Sequence, residues 1–368
     1  MALNMEAGRD EIASSGQRAG HDRGARALAY GLPALGILAV AMLLISIMTG
    51  ASTASVAGLV RNLFPGGDNA LDVLRDRIVI LEVRMPRAAV GFLVGAALAA
   101  SGSTMQGLFR NPLADPGVLG VTSGASLGAV SSIVLGGTLL APITAILGIF
   151  TLPVMAFIGA LIVTFVLYRL GRRDGETQIA TMLIAGIAIS ALGMALTGLL
   201  IYMADDNQIR DITFWSLGSL AGSTWQKAAI AAVVILPALL TLPFLARGLN
   251  AFTLGEAAAF HMGVPVERFK RVAIVMVAAA TGVSVALSGG IVFIGMIVPH
   301  LIRIWVGPDH RFLLPASALL GGSLLLVADM ITRIIVAPAE LPIGILTALI
   351  GAPFFLWILL KDRSGRVM

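Results

Sequence analysis

The sequence predicts an all-α, polytopic membrane protein with about ten transmembrane helices, and three observations carry the prediction. Of 368 residues, 58% are hydrophobic and only 12% are charged, where an ordinary soluble domain is roughly 45–50% apolar. The apolar residues fall in continuous runs of about 20, the length of helix that crosses a hydrocarbon core of about 30 Å. The runs also lack the in–out alternation of barrel strands, which leaves the helix as the element that satisfies its own backbone in lipid.

In chain order the runs are Leu28–Thr49, Ile78–Gly107, Pro116–Leu135, Ala141–Arg169, Ile179–Met203, Trp225–Leu245, Val272–Leu287, Ile291–Val306, Phe312–Val336 and Ile343–Leu360. The first follows a basic stretch, as a signal peptide's apolar region would. It exceeds the roughly 7–15 residues of such a region and is therefore taken as a retained span. Residues 1–27 form a polar tail expected to be disordered and cytoplasmic, 28–361 the transmembrane domain with a long loop at 250–265, and 362–368 a cytoplasmic C-terminal tail.

Orientation follows from the basic residues. With a cytoplasmic N-terminus, the inner loops take most of the 25 Lys and Arg, among them Arg110, Arg169, Arg172, Arg173, Arg247, Arg268, Lys270, Arg271, Arg303 and Arg311. The positive-inside rule then puts both termini in the cytoplasm. A net charge of +5 spread between apolar blocks is not the basic face that nucleic acid requires. Without cysteine, and with four histidines, the chain has no material for a disulfide framework or an ordinary zinc site.

Small residues recur every four positions at Gly91/Gly95, Gly120/Gly124/Gly128, Gly186/Ser190 and Gly282/Ala286, a spacing that lets helix backbones approach closely in lipid. Some polar residues exceed what a plain anchor needs. Asp329 and Arg333 stand four apart in the ninth span, where they can pair. Pro299, His300 and Arg303 interrupt the eighth, where proline frees a carbonyl. The Asn111-Pro112 and Asp115-Pro116 steps, followed by Gly117, predict a non-helical elbow between spans two and three. In the loop 250–265, apolar residues at helical spacing, a Thr253/Glu256 capping pair, Gly263 and Pro265 predict a short amphipathic helix. No glycine-rich loop ending in Gly-Lys-Ser/Thr occurs; the lysines are Lys227, Lys270 and Lys361 and none follows a glycine. The chain has no P-loop cradle for ATP phosphates.

Several segments in order resemble one bacterial family. These are Arg84-Met85-Pro86-Arg87, Gln106 with Asn111-Pro112-Leu113-Ala114, Leu254-Gly255-Glu256 through Met262-Gly263-Val264, Gly295 through Pro299-His300 and Arg303, Asp309-His310-Arg311, Asp329, Glu340-Leu341-Pro342-Ile343-Gly344 and Gly351-Ala352-Pro353. They are similar to the permeases that import iron-siderophores, haem and cobalamin, over nearly all of the chain from Arg84 to Lys361. The resemblance implies a permease subunit of a type II ABC importer in the bacterial inner membrane. Such a subunit is no enzyme itself. It works as a pair with a second copy of itself, bound to two ATP-binding cassette subunits and a periplasmic substrate-binding protein. It carries no cofactor of its own, ATP and Mg belonging to the cassette subunits.

By the same resemblance, Leu254, Gly255, Glu256, Ala257, Ala258, His261, Met262 and Gly263 form the coupling helix region that meets the ATPase. Asn111 and Leu113 match a cytoplasmic gate. Arg84, Arg87 and Arg333 match basic positions that dock the binding protein. His261-Met262 departs from the family's common polar residue and Leu, and Thr177 to Thr181 lacks a Thr-Ser gate pair, so that inner gate stays unassigned. The segment Gln208 to Leu220, with Arg210-Asp211-Ile212-Thr213-Phe214-Trp215, resembles the haem-importing branch, making haem the expected cargo and ferric siderophore or cobalamin the alternatives. A different class, the ion-coupled secondary transporter, would use Asp329 as its ion site.

Overall fold

The structure is a computed structural model and describes residues 27–50, 70–173, 176–337 and 339–362. The tails 1–27 and 362–368 therefore lie almost wholly outside the described residues. Fourteen α-helices follow one another among those described: α1 Leu32–Met48, α2 Ala70–Arg77, α3 Met85–Phe109, α4 Val121–Leu135, α5 Ala141–Leu147, α6 Thr151–Leu170, α7 Ile179–Tyr202, α8 Asp206–Ser216, α9 Trp225–Phe252, α10 Glu256–His261, α11 Val266–Ser288, α12 Ile294–Val306, α13 His310–Ile335 and α14 Ile343–Asp362. A two-residue antiparallel ribbon, Arg172–Arg173 with Glu176–Thr177, joins α6 to α7.

The predicted spans reappear with adjusted ends. Seven helical segments are long and apolar enough to cross a membrane, and three shorter apolar helices occupy the third, eighth and tenth positions. The third span is shortened because Asp115 and Gly120 bracket a 3₁₀ turn over Pro116–Leu119 before α4 begins. The fourth divides into α5 and α6 at Gly148, whose φ is +52°. The sixth runs on to Phe252 in α9 and the seventh starts earlier, at Val266.

The centre of the bundle is α3. Its alanines, glycines and serines leave it buried from Val94 to Leu108, and it packs against α9, α11, α12 and α13. With so little side chain on it, backbones come close: a Cβ on Gly95 would strike the Gly321 carbonyl of α13, and one on Gly102 the Gly295 carbonyl of α12. The second approach depends on Pro299. Lacking an N–H, it cannot bond the carbonyl four residues back, and that carbonyl, on Gly295, rests on Gly102. In the same way Gly124 of α4 lies on Gly159 of α6, realising the predicted small-residue row. Outside, α6 and α7 leave Ile162, Phe165, Ile184, Ile187 and Met194 exposed, a surface for lipid or another apolar face.

Candidate functional site

Chemistry collects at the two ends of the bundle. At one end, α9 stops at Phe252 and the chain turns through Thr253, Leu254 and Gly255 into α10. Gly255 has φ +106°, a conformation open to glycine and costly for other residues. The turn after α10 closes with bonds from Met262 N to Ala258 O, Gly263 N to Phe260 O and Val264 N to Ala259 O, and Gly263, φ +83°, ends the helix as its position predicted. Ala259 is buried against the bundle, while Leu254, Phe260 and Met262 are exposed. The short helix thus presents an apolar outer face.

The expected Thr253/Glu256 capping pair does not form. The Thr253 hydroxyl donates to Asn250 O at 2.6 Å, and the Glu256 carboxylate accepts from Lys270 Nζ at 2.7 Å. Lys270, in α11, is only 2% exposed. Its ammonium also donates to Thr177 O at 2.9 Å and approaches Glu267 Oε1 at 3.4 Å, so its three donors face three acceptors. Glu267 in turn accepts from Thr177 N at 3.0 Å and from the Thr177 hydroxyl at 2.7 Å. Two carboxylates, one buried ammonium and one threonine lock α10, α11 and the α6–α7 ribbon together.

The elbow lies beside this lock. Arg110 closes α3 in the left-handed region with φ +50°, and its guanidinium lies beside Gly255. Asn111 Oδ1 accepts from Leu113 N at 2.9 Å, a side-chain turn that Asn makes readily and that proline at the next position favours. Asn111 and Leu113 are both exposed at the tip. Behind it, Gln106 accepts from Arg303 Nη2 at 3.0 Å and donates to Met296 O at 3.3 Å, joining α3 to α12. Asn250 accepts from the His310 backbone at 2.9 Å and donates to Asp309 at 2.7 Å, joining α9 to α13.

At the opposite end, three arginines gather under α1. Arg87 Nη2 meets Asp329 Oδ1 at 2.9 Å and its Nη1 meets Glu340 Oε1 at 2.7 Å; Arg333 Nη2 meets Asp329 Oδ2 at 2.9 Å. Arg333 also donates to the Ser46 hydroxyl at 2.9 Å, and Arg84 to the Ile47 and Met48 carbonyls at 3.2 Å. One expectation is corrected here. The Asp329–Arg333 pair forms, but Asp329 shares its two oxygens between two guanidiniums, so it is no open ion site for a secondary transporter. Arg84, Arg87 and Arg333 are 4%, 6% and 5% exposed, and their bonds brace α1, α3 and α13.

The same end carries α8, begun by a capping box in which Asp205 and Gln208 exchange bonds. Phe214, Trp215, Ser219 and Lys227 line a cavity of about 430 Å³ beneath it.

The sequence pattern of the FecCD transport family matches residues 37–361, a stretch that holds both ends of the bundle and every helix but the flanks of α1 and α14. The chain belongs to the FecCD transport family. Among FecCD relatives, it is 46% identical over 286 residues to the hemin transport system permease protein HmuU of Yersinia pestis, covering 78% of this chain and 84% of that one. It is 42% identical over 292 residues to the cobalamin import system permease protein BtuC of Halobacterium salinarum, covering 79% and 76%. It is 40% identical over 289 residues to the vitamin B12 import system permease protein BtuC of Escherichia coli, covering 78% and 86%. A metal-chelate type ABC transporter solved in an inward-facing conformation superposes with TM-score 0.77 at 32% identity, covering 90% of this chain and 98% of that one. The protein is accordingly a multi-pass membrane protein and a permease of the type II ABC importer class.

Of the residues singled out from sequence, Glu256, Gly255, Asn111 and Leu113 gather at the α10 end, and Arg84, Arg87 and Arg333 at the other. Lys270, Glu267 and Thr177 were not singled out. Lys270 sits in a basic run, Arg268 to Arg271, whose charge is accounted for by topology alone. Only its flanking Glu256 and Glu267, at spacings of fourteen and three, hint at a pairing role.

Proposed function

We propose that this permease moves haem from a periplasmic binding protein into the cytoplasm, as one of two copies driven by two ATP-binding cassette subunits. The single observation carrying the drive is the lock around Lys270. It makes α10 a rigid handle, exposed on its outer face and bonded inward to α11 and to the ribbon before α7. A cassette subunit gripping Leu254, Phe260, His261 and Met262 would pull on all three elements together.

In this reading the α10 end is cytoplasmic, in keeping with the basic residues concentrated there, and Asn111 and Leu113 narrow the inner mouth of the path between the copies. The opposite end is periplasmic. ATP binding and release shift the pair between outward-open and inward-open states, and the loaded binding protein and the nucleotide act by preferring different states.

Haem as cargo is supported by the 46% identity to HmuU and by the chemistry beneath α8. Phe214, Trp215 and Lys227 line the cavity there, and aromatic rings with a cation suit a planar aromatic anion. The cobalamin permeases follow closely in identity, making cobalamin the second reading. Uptake into vesicles containing the permease, its cassette subunit and binding protein, with haem, a ferric siderophore and cobalamin offered in turn, tests the assignment. Accumulation of haem above the others supports it, and a preference for either other cargo replaces it.

A further inference from the structure

At the α10 end of the bundle, α6 and α11 each carry a guanidinium that no carboxylate answers. Arg169 lies in the last turn of α6 and Arg271 near the start of α11. Both are exposed, and among the described residues neither makes an ion pair. Glu267, one turn before Arg271, is already engaged by Thr177 and Lys270. Arg271 Nε donates to Tyr168 Oη at 3.2 Å, from one helix to the other. The other N–H groups of that guanidinium have no partner among the described residues, and the tyrosine hydroxyl, which accepts here, keeps its own proton to donate. Arg169 stands 6.0 Å from the centre of the Phe165 ring.

Phe165 and Arg271 share a groove. It runs between α6 and α11, has a volume of about 400 Å³, and is walled by Leu161, Phe165, Ile274, Val275, Ala278 and Ala279, with Tyr168 and Arg271 at one end. The other polar side chain in its wall, Thr164, donates to Ala160 O of its own helix at 2.8 Å, so the unspent polarity all sits with Tyr168 and Arg271. Phe165 and Val275 are 63% and 53% exposed, which leaves the groove open on the outside of the bundle. Both helices belong to segments long and apolar enough to cross a membrane, which puts their Arg-bearing ends at head-group level. From Tyr168 to Leu161 the helix rises about 10 Å, within the roughly 15 Å of hydrocarbon in one leaflet.

We propose that this groove holds one anionic phospholipid, its phosphate on the Arg271 guanidinium and the Tyr168 hydroxyl and an acyl chain along Phe165, Ile274 and Val275. A guanidinium receives phosphate oxygens in a fork. A head group of net negative charge is also drawn by Arg169 and by Arg268, exposed one turn before Arg271, whereas the cation of a choline head group offsets that attraction. The apolar length selects a lipid over a soluble phosphate. Seated there, the lipid ties α6 to α11 next to the lock around Lys270. The site asks only that both helices span the bilayer, and it stands or falls apart from the choice of cargo.

The test uses the purified full-length permease in dodecyl maltoside, titrated with phosphatidylglycerol or with phosphatidylcholine of the same chains, and reads bound lipid by native mass spectrometry. The expected result is one saturable phosphatidylglycerol, preferred about tenfold over phosphatidylcholine, with the preference lost in Arg271→Gln and binding about threefold weaker in Tyr168→Phe. Arg247→Gln, which removes an exposed charge on α9 outside the groove, should keep the preference. Val275→Trp, which fills the apolar length and spares both polar groups, should weaken binding. Equal affinity for the two lipids in the wild type overturns the site. A preference that survives Arg271→Gln, or that falls equally in Arg247→Gln, also overturns it and marks attraction to the net charge alone. Undiminished binding in Val275→Trp overturns it in favour of a bare anion site. Should Arg271→Gln fail to fold, Tyr168→Phe decides: wild-type affinity in that variant overturns the proposal.

Discussion

Lys270 Nζ stands 2.7 Å from the Glu256 carboxylate, a contact between a buried ammonium in a long membrane helix and a half-exposed carboxylate on a six-residue surface helix. Through that one bond the position of α10 is tied to the interior of the bundle, and through the Thr177 carbonyl the tie extends to the ribbon before α7.

Replacing Lys270 by Met should therefore separate hydrolysis from transport. Glu256 is 43% exposed and Glu267 30%, so both carboxylates rehydrate when the ammonium goes, and the fold survives. In vesicles carrying the full complex, cargo moved per ATP hydrolysed should fall about tenfold or more, the scale of losing one charged hydrogen-bonded contact. Lys270→Arg should recover part of it. A Met variant with an unchanged ratio would remove the lock from the mechanism.

Gly255→Ala acts on the same handle through the backbone. At φ +106° an L-residue is strained by about 1–3 kcal/mol, enough to displace a helix of one and a half turns. Hydrolysis uncoupled from uptake is expected for this variant and for Glu256→Gln. Transport-coupled hydrolysis at wild-type ratio in both would refute the assignment of α10.

Asp329→Asn should be more damaging to stability than loss of the single Arg333 pair visible in the sequence suggests. It leaves the Arg87 and Arg333 guanidiniums, both nearly buried, short of a counter-charge, and breaking such a cluster costs about 3–5 kcal/mol. Adding Arg87→Met should return part of the loss, giving a non-zero coupling energy in a double-mutant cycle measured by thermal unfolding in detergent. Strictly additive effects would contradict the shared carboxylate.

Gly102→Ala tests the closest helix contact. The new methyl would collide with the Gly295 backbone, and overpacking of this kind costs about 1–3 kcal/mol. Gly36→Ala, with open space around it, should leave the unfolding midpoint almost unchanged. Equal midpoints for the two variants would argue against the α3–α12 approach.

Much of this architecture is legible in the amino-acid order. The spans show because lipid demands unbroken apolar runs, and the elbow shows because two X-Pro steps forbid helix where Asn111 and Asp115 now turn the chain. Local signals report local partners, however. Asp329 with Arg333 is visible at a spacing of four, but the Arg87 contact spans 242 positions and no periodicity reports it. Likewise the row Gly91/Gly95 marks one face of α3, whereas Gly102 finds Gly295 only through a carbonyl that Pro299 sets free. The Thr253/Glu256 capping pattern failed because Lys270, fourteen residues on, offers Glu256 a charge and the backbone offers it only a dipole.

The most direct measurement is uptake by sealed vesicles containing this permease with and without its ATP-binding cassette partner, in the presence of loaded binding protein. Haem should accumulate against its gradient only when the cassette subunit and hydrolysable ATP are both present, and a non-hydrolysable analogue should stop it. Accumulation by the permease alone, or driven by an ion gradient with no ATP, would contradict the account.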